Sequence, residues 1–93
     1  MDHPYDNNAE AFQAYLIHLR QVLGLTQKEM AHNLGMSLRA YSDLENGKAA
    51  VRTIHVLAAE RLTLRAAAAG SEPALLARSI KDEALAVAKM LEA

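Results

Sequence analysis

The chain of 93 residues contains no cysteine, so neither a disulfide framework nor a thiolate metal site is open to it. It also lacks any apolar run approaching the roughly 18–20 residues that span a bilayer. Its first ten residues are polar and acidic, unlike the start of a signal peptide. These absences fit a protein of the reducing cytoplasm, with no membrane partner expected. The four histidines, His3, His18, His32 and His55, never stand three or four residues apart, so no zinc site is expected. There is no glycine-rich phosphate loop. Ser42 beside Asp43 has neither a nucleophile elbow nor a strand around it, so it is not read as part of a catalytic triad. No enzyme, metal or cofactor is expected. Aromatic residues make up only 4% of the chain, β-branched residues are few, and no segment alternates with period two for long, which argues against strands.

What is present is alanine, leucine and charge, with apolar residues at helical spacing almost throughout. The expectation is one all-α domain of five helices. At this size folding hides roughly 60–65% of the unfolded surface, so the domain gains from extra packing or from a partner subunit. Met1 to Asn8 is read as a loose acidic segment. A first helix is predicted from Ala9 to Leu23, with Phe12, Tyr15, Leu16, Leu19 and Leu23 on one stripe and Gly24 closing it. Thr26-Gln-Lys-Glu29 is a capping box that opens a second helix, which ends near Leu34 where Gly35 stops it. Ser37 caps a third helix running to Glu45, and Asn46-Gly47 is a turn signal. Thr53 opens a fourth helix with an inward stripe of Ile54, Leu57, Ala58 and Leu62, continuing at Leu64 or Arg65, and Gly70 ends it. Ser71-Glu72-Pro73 reads as the start of a fifth, from Pro73 to Leu91.

The net charge is −1, but its distribution is uneven. Residues 1–10 hold three acids and no base. Residues 20–52 hold Arg20, Lys28, Arg39, Lys48 and Arg52 against Glu29, Asp43 and Glu45. The rest is balanced. A mildly basic middle is compatible with nucleic acid if its cations share one face, although overall charge promises only modest non-specific attraction.

The densest information lies in residues 26–48. Two short capped helices meet at a tight turn: Met30, Ala31 and Leu34 point inward from the second, Met36 plugs the space beneath the turn, and Tyr41 and Leu44 point inward from the third. Leu38, Arg39, Ser42 and Asp43 are left facing out on a helix slim enough for a DNA major groove. The run Gly-Leu-Thr-Gln-x-x-Met-Ala-x-x-Leu-Gly-Met-Ser, followed by Tyr-Ser-x-Leu-Glu-Asn-Gly-Lys, resembles the helix-turn-helix of the phage-repressor (Xre/Cro-like) regulators. The resemblance covers roughly Phe12 to Leu62 and leaves 1–8 and 71–93 outside. It implies a lambda-repressor-like fold in which residues 9–70 bind DNA and 71–93 form a C-terminal helix.

By that resemblance the third helix is the recognition helix, and its outward residues reach base edges. Leu38 would meet a thymine methyl, Arg39 guanine O6 and N7, Ser42 a base or phosphate, and Asp43 cytosine N4. For Arg39 a phosphate contact or an intrahelical pair with Asp43 is the other reading. Gln27 resembles the family's phosphate-clamping glutamine at a helix N-terminus. Ser37, Tyr41, Asn46, Lys48 and Arg52 complete the expected phosphate contacts, although Tyr41 also reads as core, and Arg20 is a weaker candidate. Leu38, Ala40 and Asp43 leave Arg39 as the one strong donor, so DNA shape is expected to share in specificity.

The fifth helix carries Leu76, Ile80, Ala84, Val87 and Leu91 on an a/d-like seam. It either packs back on the first and fourth helices or forms a dimer interface, and it can do both. The expected partners are double-stranded DNA, a second copy of the chain, and a possible protein partner on this helix. Two rivals stand beside the repressor: an antitoxin-like autorepressor whose C-terminal helix binds a toxin, and a protein-protein adaptor on the same fold.

Overall fold

A computed structural model describes residues 9–70 and 75–92. The acidic segment 1–8 and the expected helix start at Ser71-Glu72-Pro73 lie outside the described residues. Five helices follow one another, α1 (Ala9–Leu23), α2 (Gln27–Leu34), α3 (Leu38–Glu45), α4 (Thr53–Gly70) and α5 (Arg78–Glu92), with no strand among the described residues.

α1 and α4 pack together as the brace, α2 packs on α3, and α1 and α4 back that pair. The expected α1 stripe is the core face: Phe12, Leu16 and Leu19 are buried, with Tyr15 and Leu23 packed at its edge. Met30 and Ala31 of α2 and Tyr41 and Leu44 of α3 meet them, with Leu34 and Met36 at the margin. Ala31 is 1% exposed; its single methyl lets helix surfaces approach where a longer side chain would hold them apart.

The boundaries follow from local chemistry. Gly24 and Gly35 take φ of 69° and 72°, the left-handed region that only glycine enters cheaply. At Gly35 the cap amide returns to the Ala31 and His32 carbonyls, satisfying acceptors that the helix end leaves open. Glu29 N–H donates to Thr26 Oγ1 at 3.1 Å and Thr26 N–H donates to Glu29 Oε1 at 2.9 Å, the reciprocal box written in the sequence.

Two expectations are corrected. The buried face of α4 is Val56, Ala59, Glu60, Thr63 and Ala67, whereas Ile54 is 70% and Leu57 54% exposed. The expected stripe therefore fails at Ile54 and Leu57, while Leu62 does pack against the core. The true face includes two polar residues that hydrophobicity alone assigns to solvent. They are buried because they are bonded: Tyr15 Oη donates to Glu60 Oε2 at 2.7 Å, Ser79 Oγ donates to the same oxygen, and Ala77 N–H donates to Thr63 Oγ1 at 3.0 Å. Burial of hydrogen-bonded polar groups is tolerated where unbonded ones are not.

The second correction concerns α5. It begins at Arg78, and Leu76 precedes it in irregular backbone. Of the two packing readings, core completion holds only at its foot. Ala77 is buried and Ile80 packs against the core, but no residue of α5 itself is buried.

Candidate nucleic-acid interface

The recognition-helix candidate is presented by its inner face. Tyr41 and Leu44 are 0% and 3% exposed, which fixes the rotation of α3 about its axis and turns Leu38, Arg39 and Ala40 to solvent. Leu38 is 47% exposed. Ser42 and Asp43, half-buried, continue that outer side. Arg39 makes no ion pair among the described residues, so its guanidinium is unengaged and the intrahelical pair with Asp43 is not formed.

Ser37 is the N-cap of α3: its hydroxyl accepts from Ala40 N–H at 3.1 Å, which leaves its own O–H free to donate. At the other end Asn46 Nδ2 donates to Ser42 Oγ at 3.2 Å. Asp43 O accepts from Lys48 N–H at 2.9 Å and Ala49 N–H at 3.0 Å, folding the chain back just past the helix, with Gly47 at φ 78° in the turn. Lys48 and Arg52 follow on the exposed loop. Arg52 caps α4 through a reciprocal pair with His55: Arg52 N–H donates to His55 Nδ1 at 2.9 Å and His55 N–H returns to Arg52 O at 3.0 Å. Burial and the neighbouring Arg52 charge hold the His55 imidazole below its usual range.

Beneath this surface lies a polar hub that the sequence did not advertise. Glu45, the last residue of α3, is 8% exposed. Its carboxylate receives Arg20 Nε at 2.6 Å and Nη2 at 3.0 Å, Gln27 Nε2 at 2.9 Å, and the Tyr41 hydroxyl. Its carbonyl accepts from Gln13 Nε2 at 2.6 Å. Burial works to raise the Glu45 carboxyl, but the bonds from Arg20, Tyr41 and Gln27 outweigh it and hold the group below the usual carboxylate range. Burial, and then Glu45 as acceptor, raise the Tyr41 hydroxyl. The one clue available beforehand was position: Glu45 stands four residues after Tyr41 and next to Leu44, on the inward side of α3.

The hub corrects two assignments. Tyr41 is fully buried with its hydroxyl on Glu45, which withdraws it from the phosphate contacts. Arg20 is committed to Glu45 and donates Nη1 to Leu25 O at 3.0 Å, so it is a strut rather than a free cation. Gln27 is half-buried at the first turn of α2 with one amide hydrogen on Glu45. The electrostatic consequence is local. Glu45 is paired with Arg20, which leaves Arg39, Lys48 and Arg52 as the exposed cations on and just after α3, beside the half-buried Asp43; Glu29 keeps its charge in the capping box of α2.

The helix-turn-helix family model matches residues 16–63, more than half of the chain, and the chain belongs to that family, the Xre/Cro-like DNA-binding regulators. No curated protein and no solved structure matches it. The matched span starts in the core stripe of α1 and ends in the buried face of α4, so it takes in both bracing helices as well as the motif, and the fold is lambda-repressor-like and all-α. No helix among the described residues is long and apolar enough to cross a membrane.

Proposed function

We propose that this chain is a sequence-specific regulator of transcription that inserts α3 into the major groove of an inverted-repeat operator, as a homodimer, and represses by occupying a promoter. The observation that carries this is the orientation of α3. Its inner side is locked by Tyr41, Leu44 and Glu45, so Arg39 and its neighbours are offered to a groove on a rigid support, and sites held by packed elements recognise more sharply than sites on loops.

Within this reading Arg39 takes guanine bidentately, Leu38 packs on a thymine methyl, and Ser42 and Asp43 meet the adjoining base edges. Gln27 and Ser37 hold phosphate at the N-termini of α2 and α3, where amide hydrogens and the helix dipole favour an anion. Asn46, Lys48 and Arg52 hold the backbone on the far side of the recognition helix. With a single strong base-reading donor, groove shape contributes to discrimination.

Selection of bound sequences from a random duplex pool at near-physiological salt tests the proposal. The expected product is an inverted repeat with half-site centres about 34 Å, one helical turn, apart. A single unrepeated motif would remove the symmetric dimer from the reading. No enrichment by folded protein would overturn DNA reading itself and favour the adaptor.

A further inference from the structure

Leu62, Ala66 and Ala69 of α4 follow one another at helical spacing, so they fall on one stripe of that helix. The stripe starts at the core edge, where Leu62 is packed, and then shrinks to single methyl groups. Larger side chains there would close α4 onto the end of α1; the two alanines leave a cleft of about 290 Å³. Leu23, the last residue of α1, and Leu25, in the connector to α2, form further walls, and both pack against the core. Ala66 and Ala69 lie beyond the span 16–63 that matches the family, so the recess is not part of the shared motif.

The cleft is apolar with one charge. Arg65 is the only charged residue on its walls. It is exposed, and among the described residues its guanidinium makes no hydrogen bond or ion pair. The only acid of α4, Glu60, is buried and bonded to Tyr15 and Ser79. Asn33 of α2 also stands on the wall. Its Nδ2 donates to Glu29 O at 2.8 Å, which leaves a second amide hydrogen to give.

We propose that this cleft binds a small amphipathic carboxylate, its hydrocarbon chain against Leu23, Leu25, Leu62 and the two alanines and its head on Arg65. Size selects a small molecule, since the volume lies at the lower end of the roughly 300–1,000 Å³ typical of such sites. Charge selects the head. A guanidinium offers a carboxylate two parallel N–H donors, and beside apolar walls the pair is less screened than in open water. An amine of the same length meets Arg65 as a like charge. The apolar groove along α5 provides the contrast: Leu64, Ile80 and Val87 line it together with Glu83 and no cation, so a carboxylate finds no partner there.

Calorimetric titration of the full chain with sodium octanoate tests the site, with acetate, octanol and octylamine as comparators. Octanoate should saturate one site per chain with a Kd of about 1 mM or tighter. Acetate lacks the chain and octylamine reverses the head, and each should bind at least about 10-fold more weakly. Arg65→Gln, at an exposed position, should weaken octanoate about 10-fold and leave octanol unchanged. Ala69→Leu, also exposed, should fill the cleft and abolish binding of both, with folding checked by circular dichroism. Octanoate that does not bind, that binds Arg65→Gln as tightly as the wild type, or that still binds Ala69→Leu would each overturn the site, and the last result would place the chain on α5 instead.

Discussion

Arg20 and Glu45 stand 25 residues apart in sequence and are joined by two guanidinium nitrogens, at 2.6 and 3.0 Å. The pair ties the last turn of α1 to the last residue of α3, so the pose of α3 is fixed in part by a bond from outside the two helices of the motif. Gln27 reaches the same carboxylate from α2, and three helices therefore converge on one side chain. A fork of parallel donors on a carboxylate fixes angle as well as distance, which holds α3 in place against α1.

Removing one side of that joint should be costly. Arg20→Ala leaves a nearly buried carboxylate with only Tyr41 and Gln27, and should lower stability by about 3 kcal/mol, read from the chemical denaturation midpoint. Glu45→Gln keeps one accepting oxygen but sets an amide nitrogen against an Arg20 N–H and a second donor, so it too should destabilise the fold. It should also change the acid limb of the stability profile. The folded Glu45 carboxyl sits below its ordinary value of 4.5, so its contribution is fully present above that value and is lost as pH falls through the lower folded one. Glu45→Gln should flatten that limb, and an unchanged acid slope would show that Glu45 is not a source of it.

Thr63 is the fastening of the segment that leads into α5. It is fully buried, its hydroxyl donates to Glu60 O at 2.7 Å and accepts the Ala77 amide at 3.0 Å. Thr63→Val keeps the shape and strands that amide, at an expected cost of about 1–3 kcal/mol. Hydrogen exchange at Ala77 should accelerate more than exchange in α1, because the lost bond is local to the junction between α4 and α5.

Gly35 sits at φ 72° with open space where a side chain would go. Gly35→Ala therefore tests backbone strain with no steric clash to confuse it. The expected loss is about 1–2 kcal/mol, with Gly35→Asn milder because asparagine enters the left-handed region more readily. An alanine variant as stable as the wild type would mean that the turn relaxes rather than holds.

The two classes of DNA contact should separate by mutation. Arg39→Ala should cost about 1–3 kcal/mol on the selected operator and relax preference at one base pair. Gln27→Ala should weaken binding to all duplexes alike while leaving the salt slope unchanged, because a neutral amide displaces no counterion. Equal losses on every sequence for both variants would remove Arg39 from base reading.

Much was decided by local sequence. The Thr26–Glu29 box, the caps at Ser37, the glycines at 24 and 35, and the stripes of α1, α2 and α3 are all short-range instructions. They act through a residue's own φ/ψ freedom or a hydrogen bond three or four residues away, so boundaries and inner faces could be read along the chain. The family itself was legible for the same reason, since its pattern is these instructions in order.

What the tertiary structure alone decided is where polar groups go when a distant partner exists. Glu60 and Thr63 carry no inward signal in hydrophobicity until Tyr15, Ser79 and Ala77 are brought to them, and their burial turns the inner face of α4 away from Ile54 and Leu57. Arg20 reads as a cation available to DNA until Glu45, 25 residues further on, claims it. Hydrophobicity along a chain measures the cost of burying a group unpaired; the cost of burying it paired depends on residues 14 to 45 positions away, and only the fold places them.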